Sequence, residues 1–260
     1  MFKAIQADFF RLLRSKGYHI TQLVMIIFVA LTIIFEATGR AGVSDATPEQ
    51  AMAAMEAMKQ MTWTSDVSLM MASSQVSMLT FFCLPLFVMI IGHDLSRETY
   101  KNIVTVGVSR WQFFASKFVV FMVMMALQFI IYYVLVFFIA GMKTGFGDLD
   151  IEFWKTFGAI VGFQYINMLA IFSIATITLY LLFSNVSAVI TAVIIPMALT
   201  LLKMFVKWEI FNYSNFQINM DQAAQIEMGT QMFNYSILSA LTTIVIALMI
   251  SYFIFKKKPL

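Results

Sequence analysis

The chain is poor in charge, in cysteine and in proline, and each scarcity closes off a class of protein. Charged residues make up 12% of its 260 positions, about half the share of an ordinary soluble domain. The net charge of +3 gives no reason to expect nucleic acid as a partner. A single cysteine, Cys83, excludes an intrachain disulfide and matches no zinc pattern. It lies within an apolar run and reads as a small buried apolar residue. Both histidines, His19 and His93, fall at the ends of apolar runs, and no His, Asp and Glu cluster has metal-ligand spacing, so no metal is expected. There is no GxxxxGK[ST] loop to cradle phosphates, no HExxH and no GxSxG. The interiors of the apolar runs hold no Asp or Glu; Glu36 stands at an outer end. No catalytic residue is assigned, and enzyme activity in this chain alone is not expected.

What is present is apolar. Hydrophobic residues make up 61% of the chain, and the mean hydropathy is +0.84. A helix needs about 20 apolar residues to cross the hydrocarbon layer, where only helices or closed barrels satisfy their own backbone. The runs are long and do not alternate, which favours helices over barrel strands. Six spans are expected, at about 19–36, 70–92, 117–141, 155–183, 187–206 and 234–255. Only Ser184-Asn185-Val186 separates the fourth from the fifth. No linker, internal repeat or low-complexity tract divides the chain, so residues 1–260 read as a single transmembrane domain.

An even number of spans puts both termini on one side, and the basic residues indicate which. Lys3, Arg11, Arg14, Lys16, Arg97, Lys101, Arg110, Lys117 and Lys256 to Lys258 fall on the side of the termini. The opposite side holds Arg40, Lys59, Lys143, Lys155, Lys203 and Lys207, together with most of the acids. Lys and Arg counts place the termini and the 93–117 segment in the cytoplasm. No cleavable signal peptide is expected, because no apolar run begins before about residue 19. Residues 2–14 read as an amphipathic helix in the headgroup layer, with Phe2, Ile5, Phe9, Leu12 and Leu13 on one face and Lys3, Gln6, Arg11 and Arg14 elsewhere. The alternative is an ordinary start to the first span, but Arg14-Ser15-Lys16-Gly17 interrupts the run.

The most informative stretch is the charged island His93-Asp94-Leu95-Ser96-Arg97-Glu98-Thr99-Tyr100-Lys101-Asn102, which continues through Gly107-Val108-Ser109-Arg110 to Lys117. Asp94 to Thr105 fits one helix or two short ones, with Glu98 and Lys101 three apart on a helix surface. Gly107 breaks the pattern, and Ser109 is placed to cap a following helix. Such a segment is either a docking knob for a soluble partner or a solvated loop whose charges hold topology.

The run Arg97 to Asn102, with Gly107-Val108-Ser109-Arg110 and Lys117, resembles the first cytoplasmic loop of bacterial ABC type-2 exporter permeases. That loop typically reads E-x-x-x-G-T-x-K-N, then S-R, then a Lys at the next span. The pair Glu98-Thr99 stands here where the family has Gly-Thr. The basic amphipathic start, the six spans and the long first outer loop are also similar. The resemblance implies an all-α polytopic protein of the bacterial plasma membrane, with a cytoplasmic coupling helix between spans two and three. It implies two copies of a separate cytoplasmic ABC ATPase subunit, with ATP and Mg bound there, and a second permease subunit, identical or homologous, among membrane lipids. It implies ATPase-coupling residues at Asp94, Arg97, Glu98, Thr99, Lys101, Asn102, Ser109 and Arg110. The chain looks most similar to permeases that export bacitracin, lantibiotics or amphipathic peptides.

Polar residues inside the spans are few. Gln164, Asn167 and Thr178 fall near one face of the fourth span and Gln128 lies in the third, marking either a substrate path or helix seams. Pro85 and Pro196 lie mid-span and favour bends. Thr47-Pro48-Glu49-Gln50 reads as a helix start, followed by Met52, Met55, Met58 and Met61 at period three. Thioethers suit Cu(I), but at 3.6 residues per turn the row drifts around the helix. An apolar packing face is the better reading. The 207–233 loop, with Trp208, Phe211, Tyr213 and Phe216, is a place for interfacial aromatics, and the family resemblance implies a re-entrant hairpin there. Two other functions stay open: a membrane scaffold or sensor without transport, and a standalone secondary transporter or channel. The latter calls for membrane-buried ionisable groups on an ion path.

Overall fold

The computed structural model describes residues 2–36, 62–206, 208 and 210–258. The helix start at Thr47 and the row at Met52, Met55, Met58 and Met61 lie outside the described residues. The described residues are all-α, and among them six helices are long and apolar enough to cross a membrane: Lys16–Ile34, Val76–Ser96, Arg110–Thr144, Ile151–Leu182, Asn185–Lys203 and Gln231–Lys257. Each overlaps one of the six expected spans. A separate helix, Phe2–Leu13, precedes them.

Side-chain caps set the start of every span but the second. Ser15, Ser109, Asp150, Ser184 and Thr230 accept hydrogen bonds from backbone N–H groups in the first turns that follow. Ser109 and Gln112 form a reciprocal capping box, so the third span begins seven residues before Lys117, its expected start. The third and fourth spans, of 35 and 32 residues, run about 50 Å each at 1.5 Å per residue. The hydrocarbon core is about 30 Å thick, so both helices extend beyond it.

The stretch expected as the second span, 70–92, is interrupted at its start. A helix Ser65–Ser73 stops at Ser74-Gln75, a 3₁₀ turn follows at Val76–Met78, and the helix resumes at Leu79–Phe87. Pro85 lies in this stretch, just before a π turn at Val88–Gly92. At Gly92 a Cβ would overlap the Asn185 side chain, so any larger residue there would have to displace that amide at the start of the fifth span.

The third and fourth spans form the centre. The N-terminal helix, the first span and Ser65–Ser73 pack on the third, and the fifth and sixth spans pack on the fourth. Phe87, Phe121 and Phe172 join the second, third and fourth spans with ring centroids 5.0–5.4 Å apart. The long apolar faces left on the first, fifth and sixth spans suit hydrocarbon. Residues 208–230 carry two short helices, Ile210–Ser214 and Phe216–Asp221. Phe216, Asn219 and Met220 of the latter are buried, and it packs on the fourth span.

Candidate functional site

The charged island folds as two short helices, His93–Ser96 and Tyr100–Thr105. They are separated by Glu98 in the left-handed region, at φ +55°. Gly107, at φ +100°, then turns the chain into the third span. Two buried side chains anchor the segment. Leu95 is fully buried, and the Tyr100 ring stacks on Phe183 at 5.5 Å and meets the edge of Phe255 at 5.4 Å. Arg97, Glu98, Asn102, Thr105, Val106 and Ser109 are exposed. Lys101 pairs with Glu98 at 2.8 Å, and this bond raises the Lys101 pKa.

Beneath this surface lies a buried charge cluster. Lys117, 2% exposed on the third span, donates to Asp8 Oδ1 at 2.6 Å and to Asp94 Oδ2. Asp94, 3% exposed, also accepts from Arg11 at 2.8 and 3.1 Å, and Thr99 donates to it at 3.1 Å. His93 Nδ1 lies 3.3 Å from the same carboxylate, and Arg11 is 3.3 Å from Asp8. The hydrogen bond from Arg11 to Asp94 raises the guanidinium pKa above its already high value. A buried charge is tolerated only when paired and hydrogen-bonded, and here each one is.

The cluster changes the place of two residues expected at the surface. Asp94 is interior because Lys117 and Arg11 converge on it, so its carboxylate faces neither water nor a docked partner. Arg110 is half-buried and donates to the carbonyls of Phe255, Lys256 and Lys258 at 2.7–2.9 Å, closing the end of the sixth span. Asp8, Arg11 and Lys117 are the partners that sequence reasoning did not assign to a site. The usable signal was Lys117 itself, a lone cation amid Phe113, Phe114, Phe118 and Phe121, which needs a buried counter-charge.

The four polar residues of the spans do not hydrogen-bond one another. Gln128 accepts from Gln22 of the first span at 2.7 Å. Gln164 donates to the carbonyls of Ser73 and Met220 at 2.9 and 3.0 Å and accepts from Tyr133. Asn167 and Thr178 bond back to their own helix, at Phe163 and Ala175. Gln128 and Gln164 therefore bridge separate elements, and Asn167 and Thr178 do not. At the break in the second span, Asp221 accepts the Ser77 N–H at 2.9 Å and Tyr132 donates to the Ala72 carbonyl at 3.3 Å. With Gln164 they serve backbone groups that a broken helix leaves open. The Met220 carbonyl meets Gln164, about 20 Å along the fourth span from its start, so Phe216–Asp221 packs against the middle of that helix.

Cys83 is buried with a free thiol. Among the described residues no group of three or more His, Cys, Asp or Glu side chains is placed to hold a metal ion. Residues 23–260 match the model of a family described as Protein of unknown function (DUF2705). No curated protein and no solved structure matches the chain.

Proposed function

The chain belongs to that family of unknown function, and we propose that it is the permease subunit of an ATP-driven ABC exporter. Two copies of a separate ATPase subunit, carrying ATP and Mg, would dock on the cytoplasmic end of two permease subunits. The observation that carries the reading is the segment between the second and third spans. It presents Arg97, Glu98, Lys101 and Asn102 on a surface held rigid by Leu95, Tyr100 and the buried charges. A loop that merely held topology would need no such foundation.

The backbone supports the same reading. Position 98 adopts the left-handed conformation that glycine favours, and the permease loops have glycine at that place. Aligned so, the loop's acidic residue falls on Asp94. In this reading Asp94, Thr99, Ser109 and Arg110 shape the segment, and Arg97, Glu98, Lys101 and Asn102 touch the ATPase. The N-terminal helix, the end of the sixth span and the segment share one end of the bundle, where the basic residues concentrate; we assign that end to the cytoplasm. The substrate proposed, on the resemblance, is an amphipathic peptide, antibiotic or lipid-like molecule.

The test is affinity purification of the tagged chain from native membranes, with mass spectrometry, an ATPase assay and site-specific photocrosslinkers at Arg97, Glu98 and Asn102. Crosslinks from these positions to a nucleotide-binding subunit are expected. Gentle extraction without such a subunit, or crosslinks to lipid alone, overturns the exporter reading and favours the scaffold.

A further inference from the structure

The N-terminal helix has three faces, and the protein covers one. At 100° per residue, Ile5, Asp8, Phe9 and Leu12 turn toward the third span, where Asp8 and Leu12 are buried. The single apolar face expected from the sequence is therefore split. Phe2, Phe10 and Leu13 form a second, exposed apolar face, at 79%, 58% and 47% exposure. Lys3 and Arg14 form a third, purely basic one, which Lys16 extends at the start of the first span. The only acid in the helix is Asp8, and it is engaged by Lys117.

Lys3, Arg14 and Lys16 make no ion pair with any described residue. Arg14 lies over the Phe10 ring at 4.1 Å, which holds its guanidinium at the border between the basic and exposed apolar faces. An apolar face beside an unneutralised basic one is the surface that settles in the headgroup layer, with rings among the acyl chains and cations at the phosphates. Arg11 lies on the basic side too, but its side chain, 44% exposed, reaches inward to Asp94 and Asp8.

We propose that the N-terminal helix is a binding site for anionic phospholipid headgroups, and that occupancy steadies the 93–105 segment through Asp8, Arg11, Lys117 and Asp94. Headgroups bound at Lys3 near its start, and at Arg14 and Lys16 past its end, fix the helix against the bundle. The helix carries two of the cluster's four charges, Asp8 and Arg11, which pair with Lys117 and Asp94, so mobility of the segment falls when the helix is pinned. The lipid acts without entering the spans, and the inference does not depend on the exporter reading.

The experiment uses the full chain in nanodiscs of phosphatidylcholine alone or with phosphatidylglycerol. Hydrogen exchange is followed over residues 93–105, and lipid retention by native mass spectrometry. Each exposed cation contributes about fivefold to the preference for an anionic lipid. The triple variant Lys3→Gln/Arg14→Gln/Lys16→Gln should lose more than tenfold of that preference. It should also lose the slowing of exchange that phosphatidylglycerol brings to the wild-type segment. Its melting temperature in phosphatidylcholine should stay that of the wild type, because the buried charges are untouched. A Lys256→Gln/Lys257→Gln variant, which removes charge at the same end of the bundle, should keep both effects. Equal retention of the two lipids by the wild type, or equal loss in both variants, overturns the site. Retention lost in the triple variant with wild-type exchange slowed as little as the variant's overturns the coupling to the segment. No ATPase is present, so neither result bears on whether one docks.

Discussion

Lys117 and Asp94, on neighbouring spans and 23 positions apart in sequence, form an ion pair in which both side chains are buried. Removing one member leaves charge stranded, at a cost of about 3–5 kcal/mol. The Lys117→Met variant should lose this amount in thermal unfolding in detergent. Asp94→Asn/Lys117→Met should recover part of it, because Arg11 still neutralises Asp8 at 3.3 Å. A double-mutant cycle measures this; strictly additive losses would show that the two groups are not coupled.

Gln164 joins three parts of the bundle with one amide. Gln164→Leu leaves the buried carbonyls of Ser73 and Met220 without that donor. An unsatisfied buried group costs about 1–3 kcal/mol, so the variant should melt well below wild type. Thr178→Val removes only a bond within its own helix and should cost less than about 1 kcal/mol. Stability of the two variants, ranked by melting temperature, separates a structural seam from a substrate path. A path residue would alter transport while leaving the melting temperature unchanged.

Glu98 combines a strained backbone with an exposed carboxylate. A non-glycine residue in the left-handed region costs about 1–2 kcal/mol. Glu98→Gly should therefore hold or raise stability, and Glu98→Val should lower it by about 1 kcal/mol or more. If the carboxylate touches an ATPase, Glu98→Gly weakens co-purification while the chain itself melts no lower. That divergence between stability and binding is the signature to measure. Parallel changes would assign Glu98 to the turn alone.

The spans were legible because a membrane helix is set by the length of its apolar run, a local property. Ser109 and Gly107 were legible for the same reason: a cap and a left-handed turn are written in neighbouring residues. The break at Ser74-Gln75 was not, because it lies at the edge of an apolar stretch. It is sustained by Gln164, Asp221 and Tyr132, which are remote in sequence. The charge cluster was less legible still. Asp8 and Lys117 are 109 positions apart, and sequence reasoning sorted them by side of the membrane without pairing them. Asp94 was assigned to ATPase coupling together with Arg97 and Glu98, on the resemblance of the loop alone. Its burial depends on two cations that reach it from other helices.

Arg110 supplies the last test. It receives the end of the sixth span, donating to the carbonyls of Phe255, Lys256 and Lys258. The last carbonyls of a helix have no partner within it, and a cation there also opposes the negative end of the helix dipole. Lys258 in turn donates to the Leu181 carbonyl at 3.0 Å and lies over the Phe183 ring, against which Tyr100 stacks. Arg110→Met should therefore fray the last turn and loosen Tyr100 in the same step. Hydrogen exchange should rise over 254–258 and over 100–105, with little change in the first span. All three bonds come from Nη1, and Arg110→Lys keeps the charge on a shorter side chain, so it should restore the dipole contribution and only part of the protection. Faster exchange confined to 254–258 would mean that the end of the sixth span and the exposed segment are independent.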